Sequence, residues 1–259
     1  MLDFTLKKYR ELIQILLSKR YEFQTLQDFI YNPKVKTVVL RHDIDSRPKN
    51  ALETSKIEKQ AGIKTSYYFR AVEKLFNPRT IKYIYHSGHE IGYHYENLSY
   101  ISRKYMVKEE KKLYELAIQD FKKNLDKFRR LATIKTISMH GSPLSKYDNR
   151  DLWNKYNYRD YGIIGEPYFD INFDEVLYLS DTGRTWTTYG GNIRDRVQSK
   201  YNYRFKSTFD IIHALEKNDL PDQIMINVHP QRWNDKTMPW AKELVWQKMK
   251  NIVKNVISK

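Results

Sequence analysis

The residues best suited to chemistry in this chain lie in two short clusters of acids and histidines. The first is formed by residues 41–45, which read RHDID, and the second by residues 88–94, which read GHEIGYH. Each cluster lies at the end of an apolar, β-prone run. The run is 35–40 for the first cluster and the segment around Ile91 for the second. Enzymes with mixed helices and strands place metal ligands in this way, because side chains at strand ends share one rim of a rigid sheet. The two clusters therefore favour a metal-dependent hydrolase.

Two later histidines end apolar runs in the same manner. His140 follows 134–139 and precedes Gly141-Ser142-Pro143, a sequence typical of a tight turn, and His229 follows 224–228 and precedes Pro230. The alternative is structural: Asp43 or Asp45 could cap the next helix, and His94, His140 or His229 could be buried histidines satisfied by backbone. His42, His86 and His213 are expected to be structural or exposed, and His89 could be either.

Two aspartates and several histidines at one rim would suffice for hydrolysis. Asp43 and Asp45 are two residues apart, so on an extended strand they face the same side. A catalytic zinc uses three protein ligands from His and Asp or Glu and keeps a position for water. The metal lowers the pKa of that water towards about 7. Two histidines and one aspartate would supply the ligands, and the second aspartate and another histidine would remain as base and acid.

Helical and strand patterns alternate along the chain. Strands are predicted at 34–43, 65–69, 89–95, 134–140, 176–179 and 224–229. Helices are predicted at 4–19, from Ser46-Arg47-Pro48 to Gly62, from Asn77 to about Gly88, and at 104–130, 208–215 and 240–256. This alternation predicts an α/β fold with a parallel sheet and right-handed crossovers. Since no linker interrupts the pattern, a single domain over residues 1–259 is expected.

Composition limits the partners and the compartment. The chain has 46 Lys and Arg against 31 Asp and Glu, a net charge of +15, which either favours anionic partners or reflects a dispersed, solvated surface. It has no cysteine, so disulfides and cysteine zinc sites are excluded. The residues from Met1 onwards lack the basic and apolar pattern of a signal peptide, so none is expected, and the longest apolar run, Leu12–Leu17, is too short to span a bilayer. A cytoplasmic location is therefore expected, with peripheral membrane contact left open.

The order of the motifs resembles the polysaccharide-deacetylase family, also called the NodB-homology family or carbohydrate esterase family 4. Residues 42–45 (HDID) match its first motif in a divergent form, which implies Asp43 as base and Asp45 as metal ligand. Residues 88–94 match its second motif and imply His94 as a ligand. The family's next ligand, four residues later, is replaced by Leu98, which cannot bind metal. His140 is the expected substitute and Glu96 the other candidate.

The late motif supplies the remaining roles. Residues 228–233 (VHPQRW) are similar to the family's last motif, which implies His229 as general acid beside an apolar wall that includes Trp233. Residues 139–143, 148–153 and 181–184 resemble a WbmS-like branch linked to surface-polysaccharide and O-antigen (lipopolysaccharide) synthesis. Matching segments extend over about residues 35–235. The resemblance implies a distorted (β/α) barrel of about seven parallel strands and removal of an N-acetyl group from an amino sugar.

The expected enzyme therefore holds a divalent metal, zinc above all, with Asp45, His94 and His140. Arg150 or Arg184 could orient Asp43 or bind an anionic substrate group, the alternative being that both are surface charges, and Trp233 is expected to contact substrate. The substrate would be an amino-sugar glycan or a nucleotide- or lipid-linked sugar. Two rivals remain: a catalytically silent sugar-binding protein, suggested by Leu98, and a phosphoester or nucleic-acid enzyme, suggested only by the charge. Neither a phosphate-binding glycine loop nor a nucleic-acid motif supports the last.

Overall fold

The computed structural model describes residues 2–142, 144–187 and 194–257, with only the backbone described for Thr187 and residues 252–257. Its main element is a sheet of seven parallel strands. The nine strands described are β1 Glu22–Gln24, β2 Thr37–Ile44, β3 Ser66–Phe69, β4 Glu90–Tyr95, β5 Ile137–Met139, β6 Leu177–Ser180, β7 Trp186–Thr187, β8 Arg204–Phe205 and β9 Gln223–Val228. Strands β7 and β8 form a separate antiparallel pair.

Helices connect the strands of the large sheet. They are α1 Leu6–Ser18, α2 Leu26–Tyr31, α3 Asn50–Gln60, α4 Pro78–His86, α5 Asn97–Tyr105, α6 Glu110–Arg129, α7 Pro167–Asp170, α8 Thr208–Glu216 and α9 Thr237–Ile257. Short 3-10 turns lie at Asn149–Asn154, Tyr158–Tyr161, Thr182–Arg184 and Pro230–Arg232. No helix within the described ranges is long and apolar enough to cross a membrane.

The sheet has the order β5-β4-β3-β2-β9-β6, with β1 paired to the first half of β2. Along the chain β3, β4 and β5 are added outwards on one side of β2, whereas β9 and β6 lie on its other side. The connections therefore change direction next to β2. In open parallel sheets such a switch point leaves a crevice at the carboxyl ends of the strands, where ligands bind.

Strand β2 is buried on both faces, as expected for a parallel strand covered by helices outside and side chains inside. Its outward residues Val38 and Leu40 pack with helices α1 and α8. Its inward residue Val39 packs with Tyr68, Tyr178 and Met225 from the neighbouring strands. Above this apolar layer, the next inward positions of β2 are Arg41 and Asp43, so the interior becomes polar towards the carboxyl ends.

The predicted fold class is confirmed: parallel strands curl round a side-chain-filled interior with helices outside, and seven strands match the expected number. The barrel is distorted, because β5 and β6 stand at the two ends of the sheet and no pairing in the described ranges joins them.

Two element predictions were wrong in detail. The helix predicted over 104–130 is two helices, α5 and α6, separated where Met106 adopts a left-handed φ of 48°. The helix expected to begin at Ser46-Arg47-Pro48 begins at Asn50, and neither Ser46 nor the N-cap Lys49 caps it through a side chain. Asp43 and Asp45 do not cap it either.

Candidate active site

Asp43 lies at the inward face of β2 and is held by two neighbours. Arg41, two residues earlier on the same face, donates from Nη2 to Asp43 Oδ2 at 2.9 Å, and Asn227 Nδ2 donates to the same oxygen at 3.0 Å. The other oxygen, Oδ1, is buried and has no hydrogen-bond partner. Burial alone would raise the pKa of Asp43, but the charges of Arg41, His94 and His229 lower it. The carboxylate is therefore ionised at neutral pH, with one oxygen free to accept a proton.

Arg41 is itself fixed by aromatic side chains. Its side chain is fully buried, and Nη2 lies 3.1 Å from the Tyr168 hydroxyl and 3.3 Å from the Tyr178 hydroxyl. Both hydroxyls donate to Asp195 Oδ1 at 2.5 Å. The guanidinium thus has anions on both sides, which offsets the cost of burying it.

Two histidines approach a single oxygen of Asp45. His94 Nε2 is 3.3 Å and His140 Nε2 3.5 Å from Asp45 Oδ1. His94 Nδ1 lies 2.9 Å from the Ser138 carbonyl, so Nδ1 carries a proton, and Nε2 presents its lone pair when the ring is neutral. Asp45 Oδ1 has no hydrogen-bond partner although it is buried. The sequence-predicted residues Asp45, His94 and His140 are thus brought together where β2, β4 and β5 end.

Glu96 lies behind His140 rather than beside Asp45. Its oxygens accept from Arg70 Nε and Nη2, both at 2.7 Å, and Oε2 is 3.4 Å from His140 Nδ1. Burial alone would raise the pKa of Glu96, but His140 and Arg70 lower it to about 2. Arg70 Nη1 also donates to the Asp45 backbone carbonyl at 3.0 Å. His140 Nδ1 also lies 3.1 Å from Ser142 Oγ, so Glu96 and Ser142 together orient His140, as hydrogen-bond partners do behind metal-binding histidines.

The donor set can be compared with what a metal ion requires. In the described ranges no group of three or more His, Cys, Asp or Glu side chains is placed so that it could hold a metal ion as it stands. The two pairwise distances are nonetheless near the separation of about 3.3 Å between ligands of a tetrahedral zinc. Two imidazoles and one carboxylate are also a known catalytic zinc set. Together with the unpartnered Asp45 oxygen, these features fit a zinc ion.

His229 lies on the other side of Asp45, where β9 ends. Its Nε2 is 3.5 Å from Asp45 Oδ2, and its Nδ1 is 2.6 Å from Asp181 Oδ1. Asp181, which follows β6, also accepts from the His229 backbone N–H at 3.0 Å and from Arg232 at 2.5 Å. Burial alone would raise the pKa of Asp181, but Arg232 and His229 lower it. A buried carboxylate on Nδ1 fixes the ring, so that Nε2 can take up and release a proton.

Two arginines share one carboxylate near His140. Arg150 Nη2 lies 2.7 Å and Arg194 Nη1 3.5 Å from Asp148 Oδ2, and both side chains are partly exposed. Asn149, between Asp148 and Arg150, donates to the His140 carbonyl at 2.8 Å. Two cations facing one anion leave positive charge at this rim. Pro143, part of the turn predicted to hold His140, lies outside the described residues.

Two substrate-contact predictions require correction. Trp233 is only 1% exposed, and its indole packs against Phe4 and Trp186 while donating to Asp181 Oδ2. Arg184 is buried between the rings of Phe4 and Trp240. Both side chains are enclosed by the core behind His229 and are closed to a sugar. The role of orienting Asp43, predicted for Arg150 or Arg184, belongs to Arg41.

His42 and His213 agree with the prediction that they are structural or exposed, and His89, for which both roles were left open, lies in the interior. His42 points away from the site and lies 2.8 Å from the buried Glu58, and His89 lies 3.6 Å from the other Glu58 oxygen. His213 is exposed on α8. Sequence reasoning missed the roles of Arg41, Arg70 and Asp181. Only Arg41 had a usable signal, since alternation places it on the face of Asp43.

Comparison with known proteins gives distant structural likenesses. The chain matches a CE4 family pseudoenzyme from Bacillus anthracis with 13% identity and a TM-score of 0.45, covering 85% of this chain and 63% of that one. It matches a family 4 carbohydrate esterase from Streptomyces lividans, solved with acetate, with 14% identity and a TM-score of 0.41, covering 83% of this chain and 90% of that one. A CE4 esterase from Streptococcus mutans gives 12% identity and a TM-score of 0.44, covering 92% and 90%.

These neighbours are CE4 esterases and deacetylases, and one of them is a pseudoenzyme, so likeness alone does not assign an activity to this chain. The chain spans less than two thirds of the Bacillus anthracis structure. No family model matches the sequence. No curated protein matches it either.

Proposed function

We propose that this protein is a metal-dependent hydrolase that removes an N-acetyl group from an amino sugar. The observation that carries the proposal is the arrangement around Asp45. His94 and His140 approach one of its oxygens at 3.3 and 3.5 Å, and His229 approaches the other at 3.5 Å. Asp43 Oδ2 lies 3.9 Å from His94 Nε2. A base and an acid thus flank a candidate metal set, as amide hydrolysis requires.

Asp45, His94 and His140 would hold the metal, with Glu96 fixing the imidazole of His140. A bound zinc would polarise the acetyl carbonyl and lower the pKa of a water molecule. The requirement for the metal comes from the substrate, since an amide carbonyl is a weak electrophile and neutral water a weak nucleophile.

The protein side chains would manage the protons. Asp43 Oδ1 accepts a proton as the water oxygen bonds to the carbonyl carbon, and Arg41 and Asn227 hold the carboxylate in place through Oδ2. His229 then gives a proton to the nitrogen while the C–N bond breaks, which releases acetate and the free amine. Asp181 stabilises the protonated imidazole through Nδ1. One water is consumed, and its atoms are divided between the two products.

The charge of the rim supports one substrate class. Arg150 and Arg194 leave positive charge beside His140, which suits a sugar carrying an anionic group, such as a nucleotide- or lipid-linked sugar. We place the chain in the WbmS-like, surface-polysaccharide branch and in the cytoplasm on the sequence arguments alone. Nucleic acid is not proposed as a substrate.

The test measures the zinc bound and the acetate released by the same protein sample. Protein stripped with chelator and reloaded with zinc should bind one equivalent and release acetate from UDP-N-acetylglucosamine or chitooligosaccharides. Asp45→Ala should lose the metal, whereas Asp222→Asn, at an exposed aspartate, should behave as wild type. Stoichiometric zinc without acetate release from any N-acetylated sugar would contradict the proposal.

A second candidate, a catalytically silent sugar-binding protein, is favoured by Leu98. Leu98 occupies the position at which the polysaccharide-deacetylase family has a histidine ligand, and its side chain is fully buried in the core. Sugar binding without turnover, measured by calorimetry on zinc-loaded protein, would support this candidate.

A further inference from the structure

Over residues 237–251, helix α9 buries polar side chains and exposes large apolar ones, the reverse of the usual arrangement. The side chains that it turns towards the protein include Glu243 and Gln247, which are buried, and Asn251, which donates to the Gly183 carbonyl at 3.1 Å. These three are spaced at i, i+4 and i+8, so they form one face. A helix on a soluble protein normally buries its apolar stripe and exposes its polar one.

The outer face of α9 is apolar and basic. Met238, Val245, Trp246 and Met249 are 68%, 58%, 51% and 51% exposed. They are interleaved with two exposed lysines, Lys242 and Lys248. No other helix in the described ranges exposes four large apolar side chains. Leaving this much apolar surface in water is unfavourable, so the face is suited to a partner.

We propose that the outer face of α9 binds the surface of a membrane containing anionic lipids. A helix lying in a bilayer interface combines apolar side chains, tryptophan among them, with lysines that meet the lipid phosphates. The α9 face has this composition. The charge argues against a second copy of the chain, because a symmetric interface would bring Lys242 and Lys248 of one copy against those of the other.

The position of α9 relates this surface to the candidate site. The helix packs on Thr182–Arg184 and Pro230–Arg232, the segments that directly follow Asp181 and His229. Glu243 also lies 3.5 Å from Arg47, two residues after Asp45. Helix α9 therefore lies next to the rim at the carboxyl ends of the strands, with its inner face towards that rim.

The experiment is co-sedimentation with vesicles, which needs no turnover and so does not depend on the proposed chemistry. Full-length protein is mixed with vesicles of phosphatidylcholine alone or of phosphatidylcholine and phosphatidylglycerol at 3:1. We expect binding to the anionic vesicles at least about tenfold stronger than to the neutral ones, since lysines near an anionic surface are attracted to the lipid phosphates.

Two sets of variants with matched controls locate the contact. Val245→Ser with Trp246→Ser, and separately Lys242→Glu with Lys248→Glu, should each weaken binding about tenfold or more without changing the melting temperature. Val35→Ser, at an exposed valine before β2, and Lys111→Glu with Lys112→Glu, at exposed lysines of α6, should leave binding unchanged. Binding that both α9 pairs leave intact would overturn the proposal. So would a failure to bind vesicles, whether or not the α9 variants dissolve a dimer in analytical ultracentrifugation.

Discussion

At the scale of single residues, Asp43 and Asp45 differ in what surrounds their free oxygens. Asp43 Oδ2 is held by Arg41 and Asn227, and the carboxylate is ionised. Asp43→Asn keeps the shape but cannot accept a proton at neutral pH. We expect zinc content to stay at the wild-type level while kcat falls by about 10²–10⁴-fold. Acetate release and metal analysis on the same sample check this, and near-wild-type turnover would remove the base role.

His229 is held by Asp181, so its role can be separated from metal binding. His229→Ala should leave zinc content and sugar affinity nearly intact and lower the chemical rate by about 10²–10⁴-fold, because the amine must leave protonated. His213→Ala, at an exposed histidine, is the control. Loss of zinc in the His229 variant would indicate a metal ligand instead. Lost stability with unchanged specific activity would indicate a structural residue.

A third residue links protonation to stability. Glu166 is fully buried, accepts from the Met139 and Tyr168 backbone N–H groups at 3.0 and 2.6 Å, and burial raises its pKa from 4.5 to about 7. Between pH 4.5 and 7 the folded state therefore binds more protons than the unfolded state, and stability falls as the pH rises through this window.

Glu166→Gln should remove this dependence. The variant loses an acceptor at every pH, so the diagnostic quantity is the slope of the free energy of unfolding from pH 5 to 8, measured with urea. The slope should become shallower than in wild type, and Glu175→Gln, at an exposed glutamate, should leave it unchanged. An unaltered slope in Glu166→Gln would show that other groups cause the pH dependence.

At the scale of elements, β4 positions His94 through a close approach to β3. A Cβ on Gly92, two residues before His94, would lie 2.2 Å from the Tyr68 ring. Gly92→Ala should therefore destabilise the protein by about 1–3 kcal/mol, as overpacked sites do, and weaken zinc binding by displacing β4. Gly141→Ala is the control, because its added Cβ would meet only Arg194 at 3.4 Å. Urea unfolding and zinc titration of both variants check this. Unchanged zinc affinity in Gly92→Ala would show that the packing of β4 does not affect metal binding.

Some of these elements could be predicted from the sequence and others could not. Strands β2, β4 and β9 are long, apolar and bounded, so their positions, and those of Asp43, His94 and His229, could be predicted from the pattern. The break between α5 and α6 could not, because Met106 has no preference for the left-handed conformation that it adopts. Arg70 and Asp181 were missed for another reason. Their partners Glu96 and His229 are distant in sequence, and only the sheet order brings them together.

At the scale of the whole molecule, the net charge of +15 bears on the choice of substrate only where basic side chains lie next to the candidate site. Arg150 and Arg194 share Asp148 beside His140. Raising the salt from about 0.1 to 1 M shortens the Debye length from about 10 to about 3 Å. The KM for a phosphorylated donor, UDP-N-acetylglucosamine, should therefore rise with salt, and the KM for a neutral chitooligosaccharide should hardly change.

The variant Arg194→Ala distinguishes this rim from the general charge of the surface. It should raise the KM for UDP-N-acetylglucosamine at low salt by about tenfold, the usual worth of a charged hydrogen bond, and reduce the salt dependence. The KM for the neutral oligosaccharide should stay the same. Arg10→Ala removes one positive charge from an exposed site on α1 and should change neither constant, because a screened surface charge acts weakly. Equal effects of the two substitutions would mean that the rim does not select the substrate, and an equal salt response for both substrates would exclude the anionic group from recognition.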